Sequence, residues 1–98
     1  MLKITIITVC YNEKNKLRTT IESVLDQTYP AIEYIIIDGA STDGTLDLLQ
    51  EYAGNKKMVF YSEKDNGIYD AMNRGILKST GEYIFFINSG DLLYDDCV

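Results

Sequence analysis

The chain has 98 residues, 46% of them hydrophobic and 24% charged, with a net charge of −6 and no histidine. That length holds one small domain, which buries about 65% of the surface its unfolded chain would expose, and no stretch approaches the ~20 apolar residues of a membrane span. The acidic balance argues against a nucleic-acid surface with its basic stripe, and two cysteines without a histidine, Cys10 and Cys97, make neither a zinc site nor a disulfide framework.

Apolar runs and helical periods alternate along the chain, the pattern of a parallel sheet with crossover helices. Lys3 to Cys10 reads as a first strand. Thr5 and Thr8 interrupt its apolar run and no small-residue cleavage site follows, so a buried strand explains it better than a secretory signal. Asn12 is the expected N-cap of a helix whose apolar face is Leu17, Ile21, Val24 and Leu25, and Gln27 to Pro30 ends it. Ile32 to Asp38 is a second strand. The small-residue loop Gly39 to Thr45 opens a second helix, with Leu46, Leu49 and Ala53 inward. Lys57 to Ser62 is a third strand, and Glu63 to Gly67 is a polar connection into a third helix marked by Ile68, Met72 and Ile76. Gly75 inside that helix costs about 1 kcal/mol relative to alanine unless the backbone packs closely there, so Gly75 and Ala71 are expected against the sheet. Gly81 is the expected cap at its end. Tyr83 to Asn88 is a fourth strand, apolar on both faces and so expected to be covered on both. The fold class is α/β: a Rossmann-like, mostly parallel sheet of about four strands with helices on both faces, forming one unit over residues 1–98.

Asp38 closes the second strand, Asp65 follows the third and Asp91 the fourth. Parallel strands bring these positions to one sheet edge, outside the carboxyl ends where ligands of open α/β sheets bind. Asp43 and Glu13 are candidates to join them, Asp43 also reading as a cap residue within Ser-Thr-Asp-Gly. A hard divalent cation prefers carboxylate and carbonyl oxygens and commonly bridges phosphates, so one carboxylate, Asp91, suffices where a nucleoside diphosphate supplies other ligands. Tyr11 could stack on a base or simply pack. Neither a Gly-x-Gly-x-x-Gly fingerprint nor a Gly-Lys-Ser/Thr phosphate loop is present, which leaves dinucleotide oxidoreductases and P-loop ATPases unsupported.

Five blocks in order carry a family resemblance: Ile6 to Glu13, Ser23 to Pro30, Ile36 to Thr45, Ser62 to Asn73 and Gly81 to Asp91. With them the chain resembles the N-terminal, nucleotide-binding part of an inverting family 2 glycosyltransferase of the GT-A fold. The resemblance implies a UDP- or GDP-linked sugar donor, Mn²⁺ or Mg²⁺ at its diphosphate, and a glycan or lipid-linked acceptor in polysaccharide biosynthesis. It also implies roles by position. Val9 and Tyr11 line the base pocket, Asp38 accepts from the base, and Glu13 supports the first loop. Asp65, Asn73 and Asn88 shape the donor pocket, and Asp91 holds the metal.

Where the family's acidic motif commonly reads Asp-x-Asp-Asp, this sequence has Asn88, Ser89, Gly90 and Asp91. The family's general base lies well downstream of that motif, so it is expected beyond Val98, with the chain as the donor-binding portion of an incomplete domain. Surface left bare by truncation is then expected to favour self-association. The expected compartment is the cytoplasm, with peripheral attachment at the inner membrane face as a second location. A flavodoxin-like, Mg²⁺-binding signalling module is the alternative, although it wants an acidic pair near the end of the first strand that Asn12-Glu13 meets poorly. A nucleotidyltransferase would show a glycine-rich phosphate loop where Tyr11-Asn12-Glu13 stands.

Overall fold

The computed structural model describes residues 2–26, 31–55, 57–64 and 67–90. Its strands are Ile4–Cys10 (β1), Ile32–Asp38 (β2), Met58–Ser62 (β3) and Tyr83–Phe86 (β4), and its helices are Lys14–Leu25 (α1), Thr45–Glu51 (α2) and Ile68–Lys78 (α3). The strands form one sheet in the order β3-β2-β1-β4, and every neighbouring pair is parallel. The expected α/β class and four-stranded sheet are therefore what the chain forms.

Registration places Ile4 opposite Ile32 and Cys10 opposite Asp38, and the two-residue strand period then sorts the side chains onto two faces. One face carries Ile4, Ile6, Cys10, Ile32, Tyr34, Ile36 and Met58 and packs against Leu17, Ile21 and Val24 of α1 and Leu48 and Leu49 of α2. Each fully buried aliphatic side chain there contributes about 1.5–3 kcal/mol relative to exposure. On the other face Ile7, Ile35 and Ile37 meet Ala71 of α3. The helices divide this way because β2 and β3 step outward from β1 in one direction while β4 returns to its opposite side; crossovers of one hand must then put α3 on the other face.

Gly75 sits against the sheet as expected: an added Cβ would lie 2.8 Å from Ile7 Cγ2. Other expectations need correction. Asn12 is not the N-cap of α1; Glu13 holds that position, and Asn12 adopts a left-handed backbone, φ 51°. Leu48, not Ala53, is buried beside Leu49, because α2 is a short helix that ends at Glu51. Ile76 of α3 is exposed, since the Ala71–Gly75 stripe makes the sheet contact; the side chain of Ile68 lies outside the described residues. Gly81 does not cap α3, which ends at Lys78 with Ser79 as its C-cap. Its hydrogen is required by close approach, because a Cβ there would stand 2.7 Å from Thr5 N, and its N–H donates to Thr5 Oγ1 at 2.9 Å.

The fourth strand departs furthest from expectation. Among the described residues β4 pairs only with β1, and Tyr83, Ile84, Phe85 and Phe86 are 53%, 37%, 45% and 41% exposed. An edge strand with apolar side chains on both faces has neither face closed by the elements described. Gln27 to Pro30, the expected end of the first helix, lies outside the described residues.

Candidate nucleotide site

Two loops at the carboxyl ends of β1 and β2 are laced together. Asn12 Oδ1 accepts from Thr42 N–H at 2.7 Å, and Asn12 N–H donates to Ser41 Oγ at 2.8 Å. Ser41 in turn donates both its hydroxyl and its main-chain N–H to Asp38, at 2.5 and 3.0 Å. Gly39 N–H donates to the Cys10 carbonyl at 3.0 Å, which extends the β1–β2 ladder past the strands. Asp43 closes the lacing: it accepts from Lys14 N–H, the first residue of α1, at 3.2 Å and from Thr45 N–H at 3.0 Å. The hydrogen bond from the Thr45 hydroxyl, with those two N–H donors, holds the Asp43 carboxyl below its ordinary pKa. Asp43 thus does cap work for α2.

Asp38 is fully buried. Besides Ser41, its carboxylate accepts from Ser62 Oγ of β3 at 2.8 Å and from the Cys10 thiol at 3.5 Å. A buried carboxylate is tolerated where its lone pairs are filled by donors, and here the donors come from within the chain. Asp38 therefore joins β1, β2, β3 and the following loop. The Cys10 thiol is pushed up in pKa, first by burial and then by the adjacent Asp38 charge, so it stays a neutral donor.

On the solvent side of this network lies an open pocket of about 410 Å³ lined by Tyr11, Gly39, Ala40 and Lys64. The residues follow β1, β2 and β3 in turn, the crevice where open α/β sheets bind ligands, and the volume is in the range of small-molecule sites. Tyr11 is 58% exposed. Ala40 has φ 63°, a left-handed conformation costly for alanine. The Asp38–Ser41–Asn12 lacing holds it there.

Of the sequence candidates, the structure brings Tyr11 into the pocket and Asp38 behind it. Glu13 is half-buried beside it, its carbonyl accepting from Lys16 and Leu17 N–H at 3.0 Å each to start α1. Val9 packs with the Ile7–Ile37 cluster on the α3 face. Asn73 and Asn88 are exposed, the first on α3 two positions from both Ala71 and Gly75 and so away from the sheet, the second beyond β4. Asp65 and Asp91 lie outside the described residues, as does Cys97. Gly39, Ala40 and Lys64 were not singled out from sequence, because attention to strand ends fell on carboxylates; Lys64, two residues beyond β3, carried the same positional signal.

Among the described residues no group of three or more His, Cys, Asp or Glu side chains is placed to hold a metal ion. Among the described residues Ser89 Oγ is buried without a hydrogen-bond partner, and Gly90 N–H donates to Thr20 Oγ1 at 2.8 Å, anchoring the turn on α1. The described residues therefore form no all-protein cage for a cation.

The sequence profile of glycosyl transferase family 2 matches residues 5–98. The chain belongs to this family. Among similar family 2 proteins, it is 39% identical over 90 residues to glycosyltransferase TuaG of Bacillus subtilis, named for teichuronic acid biosynthesis, covering 90% of this chain and 36% of TuaG. It is 34% identical over 97 residues to glycosyltransferase GlyA of Streptococcus pneumoniae, covering 98% of this chain and 14% of GlyA. The chain thus spans about a third or less of the length of these relatives. A solved structure of mannosyltransferase PcManGT from Pyrobaculum calidifontis, in complex with GDP-Man and Mn²⁺, superimposes with a TM-score of 0.89 at 25% identity, over 97% of this chain and 29% of that one. S. aureus TarS shares the fold at a TM-score of 0.84 and 23% identity, over 93% of this chain and 28% of that one. The family 2 chain therefore has the GT-A type of α/β fold expected of it. No helix among the described residues is long and apolar enough to cross a membrane.

Proposed function

We propose that this family 2 chain is the donor-binding part of a glycosyltransferase that moves a sugar from a nucleoside-diphospho-sugar to an acceptor hydroxyl by single displacement. The observation that carries the reading is the open pocket of Tyr11, Gly39, Ala40 and Lys64 at the carboxyl ends of β1 to β3. Its fold is that of a mannosyltransferase solved with GDP-Man and Mn²⁺, which supports a nucleotide-linked donor here.

Tyr11 stacks on the base, and the Gly39-Ala40 backbone comes close to it because neither residue has a bulky side chain. Asp38, Ser41 and Asn12 keep the two loops in the bound geometry, so little ordering is left to offset on binding. Glu13 supports the first loop, and Asp65 and Asn88 border the sugar-diphosphate side. Asp91, beyond the anchored Ser89-Gly90 turn, is the carboxylate that would hold Mn²⁺ or Mg²⁺. When bound, such a cation neutralises charge on the leaving diphosphate as a Lewis acid. The proton of the attacking hydroxyl needs a general base to accept it. A signalling reading needs Asp38 open to a phosphodonor, and its burial and internal hydrogen bonds disfavour that.

Calorimetric titration of UDP and GDP, with and without Mn²⁺, tests this. Saturable binding of at least one nucleotide is expected, strengthened by Mn²⁺, and Asp91→Asn should remove the Mn²⁺-dependent gain while leaving metal-free binding. If neither nucleotide binds, the reading fails.

A further inference from the structure

A second cavity, of about 160 Å³, lies on the α3 face of the sheet and shares no lining residue with the pocket of Tyr11, Gly39, Ala40 and Lys64. Its size decides what it can hold. A cavity of about 150 Å³ takes one benzene ring, whereas larger ligands occupy sites of about 300 Å³ or more, so it has room for a single ring and not for a nucleotide. The fold builds it from two pieces. Ile37 and Tyr61 are register partners on β2 and β3, with their side chains on the same face as Ala71. Arg74, Leu77 and Lys78 stand at i, i+3 and i+4 on one side of α3 and close over that pair, with Glu63 completing the wall.

The charges on this wall are unequally matched. Arg74 and Glu63 satisfy one another: Nη1 pairs with Glu63 at 2.8 Å, while Nη2 pairs with Asp70 at 3.3 Å and donates to the Lys64 carbonyl at 3.3 Å. Lys78 is held differently. Its Nζ stands 4.0 Å from the centre of the Tyr61 ring, over the ring face. That contact keeps a flexible ammonium at the cavity wall and leaves its N–H donors open, because a ring face attracts the charge without supplying an oxygen. Among the described residues no carboxylate or carbonyl meets Lys78 Nζ. An apolar cavity with one unmatched cation on its wall is complementary to an apolar ring that carries one negative charge.

We propose that this cavity is a second ligand site, separate from the nucleotide pocket, for a small ring-bearing monoanion such as an aromatic carboxylate. Ile37, Tyr61 and Leu77 surround the ring, and the Lys78 ammonium donates to the carboxylate. The site is independent of nucleotide binding, so it stands or falls apart from the proposed function.

Amide chemical-shift titration of the ¹⁵N-labelled chain with benzoate, benzyl alcohol and acetate tests it. Benzoate should bind saturably, at about millimolar concentration for so small a probe, with shifts centred on Ile37, Tyr61, Leu77 and Lys78. Its affinity should be about tenfold above that of benzyl alcohol, which keeps the ring without the charge, and above that of acetate, which keeps the charge without the ring. Lys78 is exposed, so Lys78→Met and Lys78→Arg should both fold, which circular dichroism checks. Lys78→Met should weaken benzoate about tenfold and leave benzyl alcohol within about threefold, while Lys78→Arg, which keeps the cation, should hold benzoate within about threefold of the parent. Benzoate shifts that are absent or lie elsewhere, or a benzoate affinity no higher than either control, overturn the proposal. So does a benzoate affinity unchanged in Lys78→Met, or weakened equally in Lys78→Met and Lys78→Arg. Displacement of benzoate by saturating UDP or GDP would assign the shifts to the nucleotide pocket and also overturn it.

Discussion

The side-chain carbonyl of Asn12 accepts from the main-chain N–H of Thr42 at 2.7 Å, joining two loops 30 residues apart in sequence. Asn12 can do this because its backbone is left-handed, which asparagine tolerates better than most residues. The contact fixes the β1–α1 loop against the β2–α2 loop, and between them these loops supply Tyr11, Gly39 and Ala40 to the pocket.

Asn12→Ala removes that hydrogen bond and places alanine at positive φ, so it should cost about 2 kcal/mol of stability. Asn12→Gly relieves the backbone and loses only the bond, about 1 kcal/mol. Urea unfolding of the two variants beside the parent measures the difference. Both should also bind nucleotide more weakly, since each loses the Asn12–Thr42 bond between the loops.

Gly75→Ala runs against helix propensity. Alanine would gain about 1 kcal/mol in an exposed helix, but here its Cβ meets Ile7 Cγ2 at 2.8 Å. Overpacking of that kind costs about 1–3 kcal/mol, so a net loss of stability is expected in denaturant titration. A stabilised variant would mean that α3 does not sit on β1 as described.

The buried Cys10 thiol reports on opening of the site. In a Cys97→Ser background, Cys10 is the single cysteine. Burial and the neighbouring Asp38 keep it neutral, so a thiol reagent at pH 8 should label it at least about a hundredfold more slowly than in the unfolded chain. Ser41→Ala, which removes a hydroxyl donor from Asp38, should speed the labelling. Rates equal to those of the unfolded chain would contradict the burial.

Glu33 gives the fold an acid limb. Burial pushes its carboxyl pKa up, but hydrogen bonds from Thr80 N–H at 2.9 Å, the Thr5 hydroxyl at 2.8 Å and the Thr80 hydroxyl at 3.0 Å, with Lys3 nearby, outweigh it and leave the pKa below its ordinary value. A depressed folded pKa contributes stability that is present above the unfolded value and lost as pH falls through the folded one. Between about pH 5 and pH 3 the parent should lose stability more steeply than Glu33→Gln, and at neutral pH the variant should be the less stable. Parallel melting-temperature profiles for the two would contradict the assignment.

The sheet was legible because Ile4 to Cys10 and Ile32 to Asp38 are dense in β-branched residues, as strands covered on both faces are, and α1 because Leu17, Ile21 and Val24 keep a clean helical period. The exposure of β4 was not, since apolarity on both faces looks the same whether or not a cover is present. Asn12 read as a cap because a polar residue before a helix serves either as a cap or as a left-handed turn, and its partners, Ser41 and Thr42, are distant in sequence. Asp38 was located correctly at the sheet edge, but its inward aim depends on Ser62 and Cys10, and strand position alone does not give that aim. Lys64 escaped notice because surface lysines are common and only the folded pocket sets it apart.

The most direct test of the central claim is amide chemical-shift mapping of the ¹⁵N-labelled chain during titration with UDP and with GDP. The account predicts saturable shifts centred on Tyr11, Gly39, Ala40 and Lys64 with at least one nucleotide, and their loss in Tyr11→Ala. Shifts confined to other surfaces, or none with either nucleotide, would contradict it.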